Sequence, residues 1–485
     1  MQSDNTGRLR TLLILLLILA LALGLRVLAF DTFARGHADE LYQYFERAHR
    51  IVFDYGITTW EQRYGIRNWI IPQMIAPPMA VAGWFSSDPI APVVLVRSIV
   101  TGASLAVVLA AFAIGSVQSR TAGLLAAFAV AIWPDVVGMS SHVLSENLAA
   151  IAAISGCALA TRAANKPERG AALPIFAGML LGLGFLFRFQ TAAFSGVFVI
   201  ALAWTNWRLW RHLITGGIVA LAIGAISDLV AGQVPFLWVW QNFHHNVIVG
   251  RAARYGLDPL YYYPWQLILR SHGMMAIVFV LALFAPRKMR PLLLACLAEL
   301  VALSLIGHKE MRFVFLSTTG LVILGAVGAA RLFEIFPVTA RLPRWTLAVV
   351  FGLMAAVAYG PGGIAAQRGD SVLSRLAYKA ARDPQVCGIA MVDQNFWHTA
   401  YAYLGRPVPI YAVSPFRNGE RPKEMQAAAN AYVANDREPT LKGYQKADCR
   451  QGENARYCLW RRTGSCDPAA AERYEVQNML RAADL

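Results

Sequence analysis

Negative charge is scarce in this chain, with 29 Asp and Glu against 44 Lys and Arg in 485 residues. Charged residues of both signs reach only 15%, and 57% of positions are hydrophobic. Soluble globular proteins carry about 25% charged residues, so an ordinary soluble fold is excluded for most of the length. The familiar phosphate-binding signatures are absent as well. No P-loop occurs, no Gly-rich dinucleotide fingerprint follows a strand, and no DxD-type pair marks a nucleotide-sugar domain. A cytosolic nucleotide donor therefore has no support. Cysteine is limited to six residues without a CxxC pair, which argues against the close-pair spacing of structural zinc sites. No internal repeat or low-complexity run is evident.

What the chain has in abundance is long apolar runs. Residues 12–25 are almost unbroken aliphatic sequence, and 27–30 extend the run past Arg26. That exceeds the roughly 7–15 residues of a secretory core, and no small-residue cleavage pattern follows, so it reads as a retained anchor. A stretch of about 18 apolar residues can span a bilayer. On that basis about eleven transmembrane helices are expected, at 12–30, 92–117, 121–134, 147–160, 173–187, 191–204, 213–230, 273–285, 291–306, 313–330 and 345–359. Residues 69–85 are apolar too, but Pro72, Pro77 and Pro78 are expected to break the run, so an interfacial or re-entrant helix fits better there than a span.

The formal charge of +15 reports orientation before anything else, because cytoplasmic loops retain Lys and Arg. Arg8 and Arg10 precede the first span. Alternate connections carry Arg120; Arg162, Lys166 and Arg169; Arg208 and Arg211; Arg287, Lys288 and Arg290; and Arg331, Arg341 and Arg344. The N-terminus is thus expected in the cytoplasm. The opposite connections, 35–67, 135–146, 188–190, 233–272 and 307–312, hold more aromatics, His and carboxylates. The bilayer is the expected partner and nucleic acid is not. Two domains follow: a transmembrane domain over 1–361 and a small α/β domain over 362–485 outside the membrane. Residues 386–392 read as a buried strand. Cys387, Cys449, Cys458 and Cys466 lie in that external segment and predict one or two disulfides, with three full connectivities open.

Residues capable of chemistry gather on the external side. His37-Ala38-Asp39-Glu40 sets two carboxylates where the first apolar run ends, and Glu46, Arg47, His49, Arg50, Glu61, Arg63 and Arg67 follow. Leu41, Tyr44, Phe45, Ala48 and Val52 have helical spacing, which predicts an amphipathic helix over 41–55 on the membrane surface, its charges facing water. Asp39, at the top of the bundle, suits a general base. Gly307-His308-Lys309-Glu310-Met311-Arg312 packs three potential cations into one loop able to hold a phosphate. Arg188 either joins them or snorkels to the interface. The run Asn242-Phe243-His244-His245-Asn246-Val247 invites a metal reading, but no third ligand is signposted. Tyr255, Tyr261, Trp238, Trp240 and Trp265 form an interfacial belt or a sugar-stacking wall.

The run His37-Ala38-Asp39-Glu40-Leu41-Tyr42-Gln43 resembles the H-P-D-E-x-F-Q motif of glycosyltransferase family 22, the lipid-linked mannosyltransferases of glycosylphosphatidylinositol and N-glycan precursors. Ala38 departs from the usual Pro. Further similarities follow in order: Tyr55-Gly56 to Glu61, Gly65-Ile66-Arg67-Asn68-Trp69 with Pro72, Arg188 (followed by Phe189 rather than Pro), Asp228, Asn242-Phe243 with Asn246-Val247, Tyr255-Gly256, and His308-Lys309-Glu310 with Arg312-Phe313. The resemblance covers most of 36–313. It implies a GT-C-type bundle, mostly α and polytopic, with interfacial helices in the first external loop. The implied reaction is inverting transfer of a hexose, mannose first, from a polyprenyl-phosphate donor to a glycan or glycolipid acceptor at the external face. Short loops and an Ala/Leu-rich composition suggest a bacterial chain.

Carried over, Asp39 is the expected base, with Glu40 its nearest rival. His308, Lys309, Arg312 and Arg188 are expected to hold the departing phosphate, and His37, Glu61, Arg67, Asn242, Asn246, Tyr255 and Tyr261 to line the groove. No cofactor is expected; a divalent metal is optional, since Lys, Arg and His can supply the positive charge. Two alternatives remain open here, another polyprenyl-linked sugar (glucose or arabinose) and a non-enzymatic transporter. The transporter reading predicts midplane charges and inverted repeats, whereas most charges lie at the outer ends of the apolar segments.

Overall fold

The computed structural model describes residues 2–33, 37–165, 170–336, 342–368, 372–393, 395–414, 423–452 and 454–484. Lys166, Arg169 and Arg341 of the basic connections, and residues 35 and 36 at the head of the first long connection, lie outside the described residues. The chain folds as two compact units. One is Met1–Phe30 with Ile99–Gln367, and the other is Asp31–Ser98 with Arg368–Leu485.

The first unit is helical, as its Ala- and Leu-rich apolar runs favour. All of the apolar segments read from the sequence contain helix. Among the described residues, five helices are long and apolar enough to cross a membrane: Thr6–Ala29, Ala91–Gly115, Ser145–Asn165, Trp207–Val230 and Met311–Ile335. A sixth arises if Tyr262–Arg270 and Met274–Leu283, bent by 115° at their junction, count as one broken span. Further apolar helices such as Arg120–Ile132, Ala172–Phe187 and Trp345–Tyr359 are shorter. Length and composition therefore do not establish a count of eleven spans.

The helix Phe315–Ile335 is the centre of this unit, with every residue from Phe315 to Ala330 buried. Its internal hydroxyls are satisfied locally, Thr318 donating to the Val314 carbonyl and Thr319 to that of Phe315, both at 2.9 Å. Backbones approach closely where glycines stand. A Cβ on Gly328 would overlap the Leu281 carbonyl, and one on Gly216 would overlap that of Ile175. Small residues at such crossings let apolar helices pack without a hydrophobic drive between them.

The second unit carries a five-stranded sheet. Its strands are β1 (Ile389–Val392), β2 (Ile410–Val413), β3 (Ala431–Asn435), β4 (Gln445–Gln451) and β5 (Arg456–Arg461), in the order β2-β1-β3-β5-β4. β1 runs parallel to both neighbours and is buried throughout, as its uninterrupted apolar run predicts. β3, β5 and β4 pair antiparallel, and Trp460 stacks on Tyr432 at 4.8 Å.

All four cysteines of this segment are bridged, Cys387 to Cys466 and Cys449 to Cys458. The bridges close loops of 79 and 9 residues in separation. Loop-closure entropy assigns them about 4.5 and about 2.6 kcal/mol respectively. Replacing Cys387 and Cys466 together by Ser should therefore lower thermal stability clearly more than replacing Cys449 and Cys458. Equal shifts of the melting transition would contradict that ranking.

The first long connection differs from expectation in two ways. Residues Glu40–Phe45 form a wide π-type turn that leads into the helix Glu46–Phe53. Both are buried on all sides as far as His49, so their charges do not face water. The cause is packing against the C-terminal segment of the same unit: Tyr42 donates to the Phe396 and Thr399 carbonyls, and Glu46 accepts from the Ala402 N–H. Second, Pro72, Pro77 and Pro78 do not break the apolar run, which forms one helix, Ile70–Phe85. Pro72 falls in its first turn, where a missing N–H costs nothing.

Candidate active site

The acidic run separates into two different carboxylates. Glu40 is fully buried, 3.2 Å from Arg97, whose side chain is equally buried. Arg97 also donates to the Asp31 carbonyl at 2.8 Å and to Tyr403 Oη at 3.3 Å. Glu40 is thus held inside a dry ion pair. Asp39 keeps 20% of its side chain exposed. Its N–H donates to His37 Nδ1 at 3.2 Å, and the same nitrogen lies 3.3 Å from Asp39 Oδ1.

Glu61 belongs to the same neighbourhood. Its carboxylate accepts from Gln43 Nε2 at 3.1 Å. Burial, and next the charge of Asp39, push the Glu61 carboxyl above the ordinary carboxylate range, while Thr59 and Arg67 pull it back. Glu61 is therefore pushed toward its protonated form. Arg67 brings a buried Nε without a hydrogen-bond partner among the described residues.

Glu46 and His49 do structural work instead. Glu46 accepts from the backbone N–H groups of Ile57 (2.6 Å) and Ala402 (2.9 Å), and burial pushes its carboxyl up to about 7. His49 Nδ1 sits 2.9 Å from the Tyr55 carbonyl, and burial pushes the ring down to about 4.

The cationic cluster lies in the other unit, and its centre is a carboxylate. Glu146, in the first turn of Ser145–Asn165, sits 2.9 Å from Arg188 and 3.1 Å from Arg312. Ser145 Oγ donates to its second oxygen at 2.9 Å. Arg188 is presented by the extended residue that ends Ala172–Phe187, and Arg312 by the turn Met311–Val314. Glu310 takes Nε and Nη2 of Arg312 at 2.8 and 3.0 Å and also meets His308 Nε2 at 3.2 Å. The Phe313 ring lies beneath both guanidinium groups, at 4.5 and 5.1 Å. Arg188 Nε is buried and has no hydrogen-bond partner among the described residues. A buried donor left unmatched costs about 1–3 kcal/mol, which an anionic oxygen would relieve.

Of the predicted phosphate ligands, then, His308, Arg312 and Arg188 come together and Lys309 does not join them. The Lys309 ammonium is buried and donates to the carbonyls of Ile306 (2.6 Å), Asp258 (2.9 Å) and Gly307 (3.4 Å), which uses its three N–H groups. It pins the loop. Tyr255 packs near the His308 ring at 5.9 Å and is half exposed. Tyr261 is exposed, and buried Asn242 accepts from Asn246 at 3.2 Å. Asp228 caps the N–H of Phe236 at 2.9 Å. The rings of His244 and His245 touch each other. Among the described residues, the one triplet with metal-ligand spacing is Asp436, Cys449 and Cys458, and its thiols are spent in a disulfide.

Residues 13–377 match the model of the Alg9-like mannosyltransferase family. The chain belongs to that family. Its similarity to characterised members is partial: a Dol-P-Man:Man(7)GlcNAc(2)-PP-Dol alpha-1,6-mannosyltransferase of Saccharomyces cerevisiae is 30% identical over 173 residues, 33% of this chain and 30% of that protein. The Drosophila melanogaster protein of the same description is 23% identical over 138 residues, 27% of this chain and 20% of its own length. The aligned parts thus span less than a third of these relatives. The fold is shared with ArnT of Cupriavidus metallidurans, solved bound to undecaprenyl phosphate, at a TM-score of 0.58 and 15% identity over 93% of this chain and 99% of that one. The apo form of ArnT gives 0.56 and 16%. This is the GT-C-type architecture, and with its apolar helices it makes this family member an integral membrane protein.

Glu146 and Arg97 are the residues that sequence reasoning missed. Both are ionisable groups at the ends of apolar helices, where such residues are functional candidates by default. Glu146 entered the reading only as the end of a connection, and Arg97 only as part of a span.

Proposed function

We propose that this protein is an inverting glycosyltransferase that moves mannose from a polyprenyl-phosphate-linked donor to a glycan or glycolipid acceptor at the extracytoplasmic face. The observation that carries the reading is the pair of guanidinium groups on Glu146, flanked by His308 and holding an unmatched Arg188 N–H. A lipid phosphate becomes a workable leaving group when preorganised cations receive the charge that develops as the glycosidic bond breaks. Arg188 and Arg312 carry that role, and His308 adds charge when protonated. Asp39 accepts the proton of the acceptor hydroxyl while the hydroxyl oxygen bonds to the anomeric carbon and the phosphate departs from the opposite face. Family membership and the lipid phosphate bound by ArnT on the same fold support a lipid-linked donor. Two disulfides support an oxidising compartment for the C-terminal segment.

The test is transfer by the purified protein in lipid nanodiscs, with polyprenyl-phosphate-mannose, its glucose and arabinose analogues, and a nucleotide sugar as parallel donors. Release of polyprenyl phosphate with a new mannosidic product is expected from the first alone. Turnover of another lipid-linked sugar reassigns the donor. Uptake into proteoliposomes without a glycosidic product replaces the enzyme by a transporter.

Donor binding should also depend on pH. The hydrogen bond to Glu310 raises the His308 imidazole above its ordinary value, against the opposing effect of burial. A raised His contributes its full charge-linked stability below its unfolded value and loses it as pH rises through the folded one. Affinity for polyprenyl phosphate should therefore fall as pH climbs through that raised value, and His308→Gln should flatten the dependence. An unchanged pH profile in the variant removes His308 from the phosphate site.

A further inference from the structure

At the opposite end of the same helices lies a second cationic feature that the transfer reaction does not use. A cavity of about 550 Å³ opens between the ends of Ser145–Asn165 and Ala192–Ala203 and the start of Arg290–Ser304. Glu146 begins the first of these helices, so the cavity is about 30 Å away along its axis. Ala201, Leu202 and Leu294 supply an apolar wall, and Arg287, Lys288 and Arg290 line the mouth. All three cations are exposed, and none has an ion-pair or hydrogen-bond partner among the described residues.

Three cations at this position are unfavourable unless an anion meets them. They gather at the N-terminus of a 15-residue helix that has no side-chain cap. A helix N-terminus carries partial positive charge and favours anions, so three cations there repel it unless a negative group is bound. Orientation in the membrane explains why this connection is basic. It does not explain why the cations should line a cavity whose other wall is aliphatic.

We propose that this cavity binds an anionic phospholipid, its phosphate held by Arg287, Lys288 and Arg290 and an acyl chain lying along Ala201, Leu202 and Leu294. Basic pockets between membrane helices hold phosphorylated headgroups in this manner, and the aliphatic wall calls for a chain that a free phosphate lacks. Trp204, also lining the cavity and 80% exposed, sits where an indole anchors at a membrane interface. The occupant is thus a lipid bound for structural support, at a site separate from the Arg188–Glu146–Arg312 cluster.

The experiment uses the full-length protein in detergent and follows its melting temperature with phosphatidylglycerol, phosphatidylcholine or inorganic phosphate added. A ligand that binds only the folded state raises this temperature. The expected result is a rise of several degrees with phosphatidylglycerol alone, lost in the combined variant Arg287→Ala, Lys288→Ala, Arg290→Ala. Because that variant can fail to fold, Ala201→Phe provides a second test: it keeps the charges, narrows the apolar wall and should also lose the rise. Brominated phosphatidylglycerol should quench the wild type more than Trp204→Phe. Equal stabilisation by both lipids, an equal effect of inorganic phosphate, or a full response in either folded cavity variant overturns the proposal and leaves the cations as orientation charges only.

Discussion

Asp39→Asn should lower mannosyl transfer from the polyprenyl-phosphate donor by about 10²–10⁴, the range a positioned general base contributes. Donor affinity should hardly change, because the substitution removes one carboxylate oxygen's basicity and no cation. The neighbouring acids replace it poorly, each for a different reason. Glu40 is enclosed with Arg97 and has no exposed surface, so an acceptor hydroxyl does not reach it. Glu61 is biased toward its protonated form by burial and by Asp39 itself. Removing the Asp39 charge relieves part of that bias, so residual activity in Asp39→Asn should depend on Glu61 and vanish in the double variant with Glu61→Gln. Undiminished transfer by Asp39→Asn removes it as the base. Active Asp39→Asn beside inactive Glu61→Gln moves the role to Glu61.

The helical architecture was legible because apolar runs leave few alternatives in a bilayer, where every backbone group must be satisfied internally. Ends and crossings were less so. The 115° bend between Tyr262–Arg270 and Met274–Leu283 shows no proline, and the sequence offers only Gly273 as a hint. The prolines of Ile70–Phe85 misled in the other direction, since tertiary packing holds a helix that local rules would interrupt. The amphipathic reading of residues 41–55 failed because periodicity reveals one apolar face and cannot show that a distant segment covers the polar one. Glu46 illustrates this: its partners are the N–H groups of Ile57 and of Ala402, 356 residues away. Side-chain direction was equally hidden in the loop at 307–312. Three cations in six residues looked equivalent, yet Lys309 turns inward onto carbonyls while His308 and Arg312 share Glu310.

Glu146 is where the cationic cluster is most easily broken. In Glu146→Ala the guanidinium groups of Arg188 and Arg312 lose their shared counter-charge while Arg188 stays buried. Removing one partner of a buried ion pair costs about 3–5 kcal/mol, and the melting temperature should drop accordingly. Transfer should fall too, since repelling guanidinium groups no longer converge on one phosphate. Those two effects separate in a second variant. Replacing Glu146 and Arg188 together by Leu removes both charges, and well-packed apolar substitutes for a buried pair are often neutral in stability. Most of the lost stability should return while transfer stays defective, because one of the groups that receives the leaving phosphate is gone. Arg188→Lys alone should also transfer poorly, since an ammonium cannot supply the planar, multi-donor contact of a guanidinium. If the Leu pair regains transfer along with stability, Arg188 is a structural partner of Glu146, and the phosphate must be held by Arg312 and His308 without it.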